Sequence, residues 1–236
     1  SKVLITGASS DIGIAICRLY LTNKFRVTGL FNKGQPRLTN LSEEYPELTL
    51  HQLDFESPKN IESFIHKERK RFLENEIFIH AAALVEPIPF FNITADNLLH
   101  AFTINVIPSF LFTRTLVPAM LNRKWGRIVN LSSIGVKFGG GSKTFCYSLS
   151  KHALEFFPGD YKKWAESDVF INTLRVGVTD TRMHRVNPEK DIGQRVSLIP
   201  MGRMAKPEEV ANNVYWLGSD QNSLMTGQVV TAAGGE

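Results

Sequence analysis

The stretch Lys2-Val3-Leu4-Ile5-Thr6-Gly7-Ala8-Ser9-Ser10-Asp11-Ile12-Gly13 opens the chain and decides its fold. The first five residues form an apolar, branched run of the kind a buried strand needs, and the small residues behind them end it in a tight turn. An amphipathic run of helical period follows, Ile14-Ala15-Ile16-Cys17-Arg18-Leu19-Tyr20-Leu21. Strand, small-residue turn and helix in that order are the context a dinucleotide fingerprint requires. Glycine lets the backbone turn and come close to a ligand, and the free N–H groups at the helix start hold pyrophosphate.

Further along, apolar runs alternate with helical stretches, the pattern of a parallel sheet covered on both faces. Strands are expected over 25–31, 48–53, 77–81, 127–131, 169–174 and 228–231, with long helices over 94–122 and 146–167. These elements predict an α/β fold of the Rossmann type: a doubly wound parallel sheet of about seven strands. No repeat or linker divides the 236 residues, which are read as one domain, 1–236. In such sheets ligands bind at the carboxyl ends of the strands, near the point where strand order reverses. The loops holding Gly7, Asn32, Asp54, Ala82, Ser133 and Gly177 all fall on that edge.

A second stretch, Tyr147-Ser148-Leu149-Ser150-Lys151, sets a phenol and an ammonium four residues apart. On a helix they share one face, and a fixed cation beside a phenol favours its ionised form, making it an acid and base near neutrality. Taken alone the pattern also suits any exposed helix.

Together these stretches resemble the short-chain dehydrogenase/reductase family, and the resemblance covers essentially the whole chain. Thr6 to Gly13 looks like that family's Thr-Gly-x-x-x-Gly-x-Gly loop, with Asp11 at the second glycine. Asp11 suits a helix start, although a carboxylate near phosphates is unfavourable. Asn105 matches the family's asparagine, Ser133 its serine, and Tyr147 with Lys151 its Tyr-x-x-x-Lys pair. His80-Ala81-Ala82-Ala83 takes the place of Asn-Asn-Ala-Gly, which removes the asparagine hydrogen bonding that braces this strand. Asn172 to Thr181 looks like Asn-x-x-x-Pro-Gly-x-x-x-Thr, with Val176 for proline. The resemblance implies hydride transfer between a nicotinamide and a carbonyl or secondary alcohol. Tyr147 would be the acid/base and Lys151 would lower its pKa and hold ribose hydroxyls. Ser133 would bind the substrate oxygen, Asn105 would anchor a water, and Thr181 would hold the carboxamide. The implied cofactor contacts are Gly7, Ser9, Ser10, Asp11, Ile12, Gly13, Asn32, Lys33, Asp54, Phe55, Ala82, Ala83, Tyr147, Lys151, Val178 and Thr181. Asp54 fits an adenine contact and equally a helix cap.

Strand two ends at Phe31 with no carboxylate, and Lys33 is near, so NADP(H) is favoured over NAD(H). Ser132 and Ser133 are adjacent, and alternation lets only one face the pocket; the match favours Ser133. Pro108 denies the Ile104 carbonyl its helical partner, which marks either a local break or a kink. Residues 182–200 are read as a substrate loop, in which Arg182, His184, Arg185, Lys190 and Arg195 against Glu189 and Asp191 suit an anionic substrate or plain solubility. The chain is similar overall to bacterial 3-oxoacyl carrier-protein reductases. These dock an acidic carrier with basic residues, one near Lys124; the second would fall near Ser167, where no cation stands. A keto-sugar or nucleotide-sugar substrate is an alternative. So are a dinucleotide sensor without turnover and a sugar epimerase or dehydratase. The apolar load of 94–122 and 146–167, including Phe102, Phe110, Leu111, Phe112, Phe156, Phe157 and Trp164, predicts a homo-oligomer, a tetramer.

The composition, 43% hydrophobic and 21% charged, is that of an ordinary globule. No stretch is read as a membrane span, and the visible start reads as a strand rather than a signal peptide. Cys17 and Cys146 are too few for a disulfide framework, which suits a reducing, cytoplasmic setting. The histidines, His51, His80 and His184 among them, lack metal-ligand spacing and are read as structural or surface residues. The net charge of +4 gathers in His66-Lys67-Glu68-Arg69-Lys70-Arg71, the solvated side of a helix, so nucleic acid is not an expected partner.

Overall fold

Side chains alternate faces along a strand, so Val3 and Ile5 of the first strand enter one apolar layer while Leu4 enters the other. The computed structural model describes residues 1–182 and 192–236. Seven parallel strands run β1 Lys2–Thr6, β2 Arg26–Phe31, β3 Leu48–Gln52, β4 Ile77–His80, β5 Gly126–Ser133, β6 Val169–Val176 and β7 Val229–Ala232. Their order across the sheet is β3-β2-β1-β4-β5-β6-β7. The order reverses between β1 and β4, which lie side by side with Thr6 opposite His80. A crevice opens beyond the carboxyl ends of the strands at that point.

On one face pack α1 Asp11–Thr22, α2 Gln35–Glu44 and, near the end of the chain, a helix Pro207–Leu217. On the other pack α3 Pro58–Lys67, α4 Arg69–Phe72, α5 Ala95–Asn105 and α6 Ile107–Arg123. The catalytic-motif helix, α7 Phe145–Ala153, continues the second face and is followed by α8 Tyr161–Ala165 and α9 Ile192–Ser197; the Pro207 helix is then α10.

The strands fall within two residues of their expected bounds, and two helices do not. The span 146–167 is not one helix: α7 stops at Ala153 and helix resumes only at Tyr161. Pro158 and Gly159 lie between, one lacking an N–H and clashing with the preceding turn, the other weakening it. The span 94–122 divides at Val106, which has φ −115° and ψ −51° where α5 ends and α6 begins, so Pro108 marks a break. Contrary to the sequence reading, Ala95–Arg123 is by length and composition apolar enough to cross a membrane. Leu111, Phe112, Leu116, Val117 and Met120 are nonetheless buried in the sheet's second layer, the position of a core helix.

Candidate active site

The last residue of β5 and one face of α7 meet at the open edge of the sheet. Tyr147 and Lys151 share that face. The side chains of Ser133 and Tyr147 hydrogen-bond to each other. Adjacent strand residues point oppositely, and Ser132 turns away: its Oγ donates to Glu155 Oε1 at 2.6 Å and lies 3.1 Å from the Lys151 carbonyl. Lys151 is 2% exposed and donates from Nζ to the Leu131 carbonyl at 2.8 Å. Burial lowers its pKa to about 7, and among the described residues no carboxylate pairs with it. Its Nζ lies 5.8 Å from the centre of the Tyr147 ring. The expected lowering of the Tyr147 pKa by Lys151 is reversed. Burial raises the phenol, and only the Ser133 hydrogen bond works against that. The physical reason is that desolvation disfavours the charged form of both partners at once.

Behind this pair lies a bonded set of buried groups. Asn105, 0% exposed, accepts from the Leu84 N–H at 2.7 Å and donates to the Leu84 carbonyl at 3.0 Å and to Ser150 Oγ at 2.9 Å. It thereby fixes the loop after β4 against α7. The Asn105 carbonyl, freed at the end of α5, lies 2.9 Å from His80 Nε2, and His80 Nδ1 lies 2.9 Å from Thr6 Oγ1. A carbonyl only accepts, so Nε2 carries the proton and Nδ1 accepts from the Thr6 hydroxyl, which in turn receives the Ala81 and Ala82 N–H groups at 3.2 Å. Burial, with the Lys151 charge behind it, lowers the His80 pKa to about 3 and keeps the ring neutral. Bracing thought lost with the asparagines is therefore supplied by His80, which ties β4 to β1 and to α5.

The turn after β1 is shaped for close approach. Gly7 has φ +70°, and a Cβ there would meet the Ala82 backbone at 2.7 Å. A Cβ at Gly13 would drive into the Gly7 carbonyl. Ser10 caps α1, accepting from the Gly13 N–H at 2.9 Å, and also donates to the Gly7 carbonyl at 2.9 Å. Ser9 Oγ donates to the Lys33 carbonyl at 2.6 Å, leaving Lys33 exposed. Asn32 donates to Asp54 Oδ1 at 3.3 Å, and that oxygen also takes the Glu56 N–H at 3.0 Å, so Asp54 closes its own turn while α3 starts at Ser57 without a side-chain cap. Ile12 and Phe55 face inward, Phe55 into the second core layer. Ala82 is buried and Ala83 exposed in the loop after β4, and Val178 and Thr181 follow β6. The fit to a dinucleotide is good: a turn of small residues, with no Cβ at Gly7, opens onto α1, and a buried ammonium without an acidic partner among the described residues lies beyond it.

Several contributors were not singled out in the sequence. Arg37 binds the Asp11 carboxylate and donates to the Ser9 carbonyl at 3.0 Å. The other Asp11 oxygen accepts the Arg182 N–H at 2.8 Å. Burial would raise the Asp11 pKa, but the Arg182 and Arg37 contacts outweigh it and hold the carboxyl below its ordinary range. Glu155 takes Arg175 on both oxygens, at 2.9 and 2.5 Å, and so fastens the end of α7 to β6. The lone acid among small residues in the glycine turn was the one available signal for Arg37. Of the cations expected to greet an anion, Arg182 lies on Asp11 and Arg195 on Glu236, while His184, Arg185 and Lys190, with Glu189 and Asp191, lie outside the described residues. Two cavities, about 190 Å³ beside Gly177 and Ile199 and about 390 Å³ between α1 and α10, are not lined by Tyr147 or Lys151. Among the described residues no His, Cys, Asp and Glu gather as a metal site.

Residues 7–236 match the family model described as enoyl-(acyl carrier protein) reductase. The chain is 28% identical to the 3-oxoacyl-[acyl-carrier-protein] reductase FabG of Thermotoga maritima, over 98% of this chain and 96% of that one. It is 27% identical to the acetoacetyl-CoA reductase of Rhizobium meliloti, over 99% and 97%. Among solved structures, an Agrobacterium tumefaciens 3-oxoacyl (acyl-carrier-protein) reductase with NADP bound superposes with a TM-score of 0.88, at 22% identity, over 100% of this chain and 93% of that one.

Proposed function

The chain belongs to the short-chain dehydrogenase/reductase family of oxidoreductases, and from that membership we propose that it is an NADP(H)-dependent reductase of 3-oxoacyl thioesters. The observation that carries this reading is the Ser133–Tyr147 hydrogen bond beside a buried Lys151 that no carboxylate among the described residues neutralises. The nicotinamide supplies the hydride. Tyr147 gives its proton to the substrate oxygen as that oxygen gains charge, and Ser133 holds the same oxygen through its hydroxyl. Lys151, now on the Leu131 carbonyl, would hold the ribose hydroxyls, and its charge would favour the phenolate that the proton leaves behind. Thr181 holds the carboxamide, and residues 1–236 act as one domain.

The thioester class suits the aromatic side chains carried close in sequence to Ser133 and Tyr147. Phe145, two residues before Tyr147, meets Phe90 edge-on at 5.1 Å. Phe90 and, five residues after Ser133, Phe138 are 56% and 61% exposed. Aromatic faces offer an acyl chain an apolar surface to lie on. The relatives named for 3-oxoacyl and acetoacetyl thioesters point the same way. The enzyme works as a homotetramer in the cytoplasm: Leu99, Phe110 and Phe156 stand exposed on the α5–α7 side, and both cysteines are free. NADPH absorbance followed with acetoacetyl-CoA, keto-sugars and simple ketones tests the substrate. Fastest turnover of the thioester supports it; turnover of keto-sugars alone, or tightly copurifying NAD without net consumption, overturns it. A monomer by light scattering overturns the tetramer.

A further inference from the structure

Three successive residues of β5 are bonded to α7 or to the turn that ends it. Ser133 meets Tyr147, Leu131 accepts from Lys151 Nζ, and between them Ser132 Oγ lies 2.6 Å from Glu155 Oε1 and 3.1 Å from the Lys151 carbonyl. The outer two contacts belong to the proton-transfer set; the middle one has no place in that chemistry. Its acceptor is a carboxylate, so the bond is charge-assisted and short. Glu155 stands two residues past the end of α7 with its side chain 6% exposed, and an acid so buried needs a partner. Arg175 supplies it: Nε donates to Oε1 at 2.9 Å and Nη2 to Oε2 at 2.5 Å. Arg175 is paired with Ser132 in the register of β6 on β5, so the two side chains leave one face of the sheet together and converge on the same carboxylate. Burial would raise the Glu155 pKa, but the Arg175 and Ser132 bonds outweigh it and hold the carboxyl below its ordinary range. His152 Nδ1, 3.6 Å from Oε2 on a side chain 65% exposed, adds a contact at the solvent side.

We infer that Glu155 is a positioning residue for the proton-transfer pair, holding the Ser132 hydroxyl against the Lys151 backbone and so setting the separation of β5 and α7 at which Ser133 meets Tyr147. This rests on the reductase reading above. Ser133 and Tyr147 are carried by different elements, and apolar packing between a helix and a strand is non-directional. A charge-assisted bond at the residue next to Ser133, returned to the backbone of Lys151, supplies the direction that packing lacks. A misplacement of about 1 Å between groups that must act together is enough to cost about a hundredfold in rate. Arg175 then serves as the anchor that keeps the carboxylate ionised and aimed at Ser132.

Steady-state kinetics of the full chain with NADPH and acetoacetyl-CoA, with kcat and KM read separately, test this as a double-mutant cycle. Ser132→Ala and Glu155→Gln are each expected to lower kcat about tenfold and to change KM by less than about twofold. The double variant is expected to lose about tenfold as well, rather than about a hundredfold, because both substitutions break one chain of contacts. Ser132→Ala deletes a single hydroxyl and leaves the Glu155–Arg175 pair in place, so it serves where Glu155→Gln does not fold. A carboxylate that only stabilises the fold would lower the melting temperature and leave kcat per folded molecule unchanged. Parent-like kcat in either folded single variant, or losses that multiply in the double variant, overturn the inference while the reductase reading stands. A parent chain that oxidises NADPH with none of the thioester, keto-sugars and ketones overturns that reading and the inference together.

Discussion

Strand β5 has a buried cation near each end, and the two are held in opposite ways. At its start Arg127, 1% exposed, donates to the carbonyls of Gly126 at 3.0 Å, Asp168 at 2.6 Å and Asn222 at 2.9 Å, and to Asp168 Oδ1 at 3.0 Å. Its guanidinium also lies 4.1 Å from the Phe170 ring centre and 4.8 Å from that of Trp125. At the other end Lys151, 2% exposed, donates to the Leu131 carbonyl and has no carboxylate among the described residues. A buried charge is stable only when protein dipoles replace its water. Arg127 has that replacement at Nη1 and Nη2, though not at its buried Nε, and stays ionised. Lys151 lacks it, and its proton is loosely held, with a pKa of about 7. One cation fastens the lower edge of the sheet; the other is left short of partners at its open edge.

The largest effect expected is on the Lys151 side. Tyr147→Phe keeps the ring and removes the transferable proton, so NADPH oxidation should fall by about a thousandfold with the melting temperature almost unchanged. A variant as fast as the parent would separate Lys151 from any catalytic partner and dissolve the contrast. On the other side, Arg127→Ala should cost about 3 kcal/mol, because three carbonyls lose a donor and two rings lose their cation. In a chain of this size that is a drop of roughly 6–12 °C in melting temperature. Turnover per folded molecule, measured well below the melt, should be that of the parent.

The same contrast explains what could be read from the sequence. The strands were legible because Val3-Leu4-Ile5 or Ile77-Phe78-Ile79 need only local pattern, and the choice of Ser133 over Ser132 needed only alternation. The face shared by Tyr147 and Lys151 needed only a helical turn. Partners of buried charges are another matter, since they are fixed by which strands become neighbours. His80 finds Thr6 across 74 residues, because β4 crosses over to lie beside β1. Arg37 finds Asp11, and Arg127 finds Asn222, only once α2 and the loop after α10 are in place. The Tyr147 pKa departs from expectation for the same reason: spacing gives proximity to an ammonium but says nothing of the burial that disfavours the charged form of both groups. The end of α7 at Ala153 is by contrast a local matter, since Pro158-Gly159 marks the break in the sequence itself.

A smaller effect, of opposite sign to the loss at Arg127, is expected from Lys151→Met. The folded chain holds the Lys151 pKa at about 7, below the 10.5 of a free lysine. Between those values the unfolded chain binds more protons, so for this group stability rises with pH, and the penalty is complete below about pH 7. Methionine fills the same space without charge, so the variant should be more stable by roughly 1–2 kcal/mol near pH 6, with the gain shrinking toward pH 9. Turnover should be lost over the whole range. The comparison by urea unfolding belongs below pH 10, above which the raised Tyr147 phenol also titrates. A destabilised Lys151→Met would mean that the ammonium is as well satisfied as Arg127.

The smallest effect tests what satisfies Arg127. Among the described residues Asp168 is the one carboxylate in direct contact with it, yet the Asp168 side chain is 46% exposed and the residue sits at φ +54°. Asparagine adopts that left-handed backbone as readily as aspartate and keeps an oxygen for Nη2, so Asp168→Asn removes the charge and little else. If the three carbonyls and two aromatic faces replace the water around the guanidinium, the variant should lose no more than about 0.5–1 kcal/mol in urea unfolding, the ordinary worth of an exposed ion pair. A loss near that of Arg127→Ala would make the carboxylate decisive. The difference between the two ends of β5 would then reduce to the presence of one acid, and an aspartate placed beside Lys151 should be enough to turn it into a structural cation.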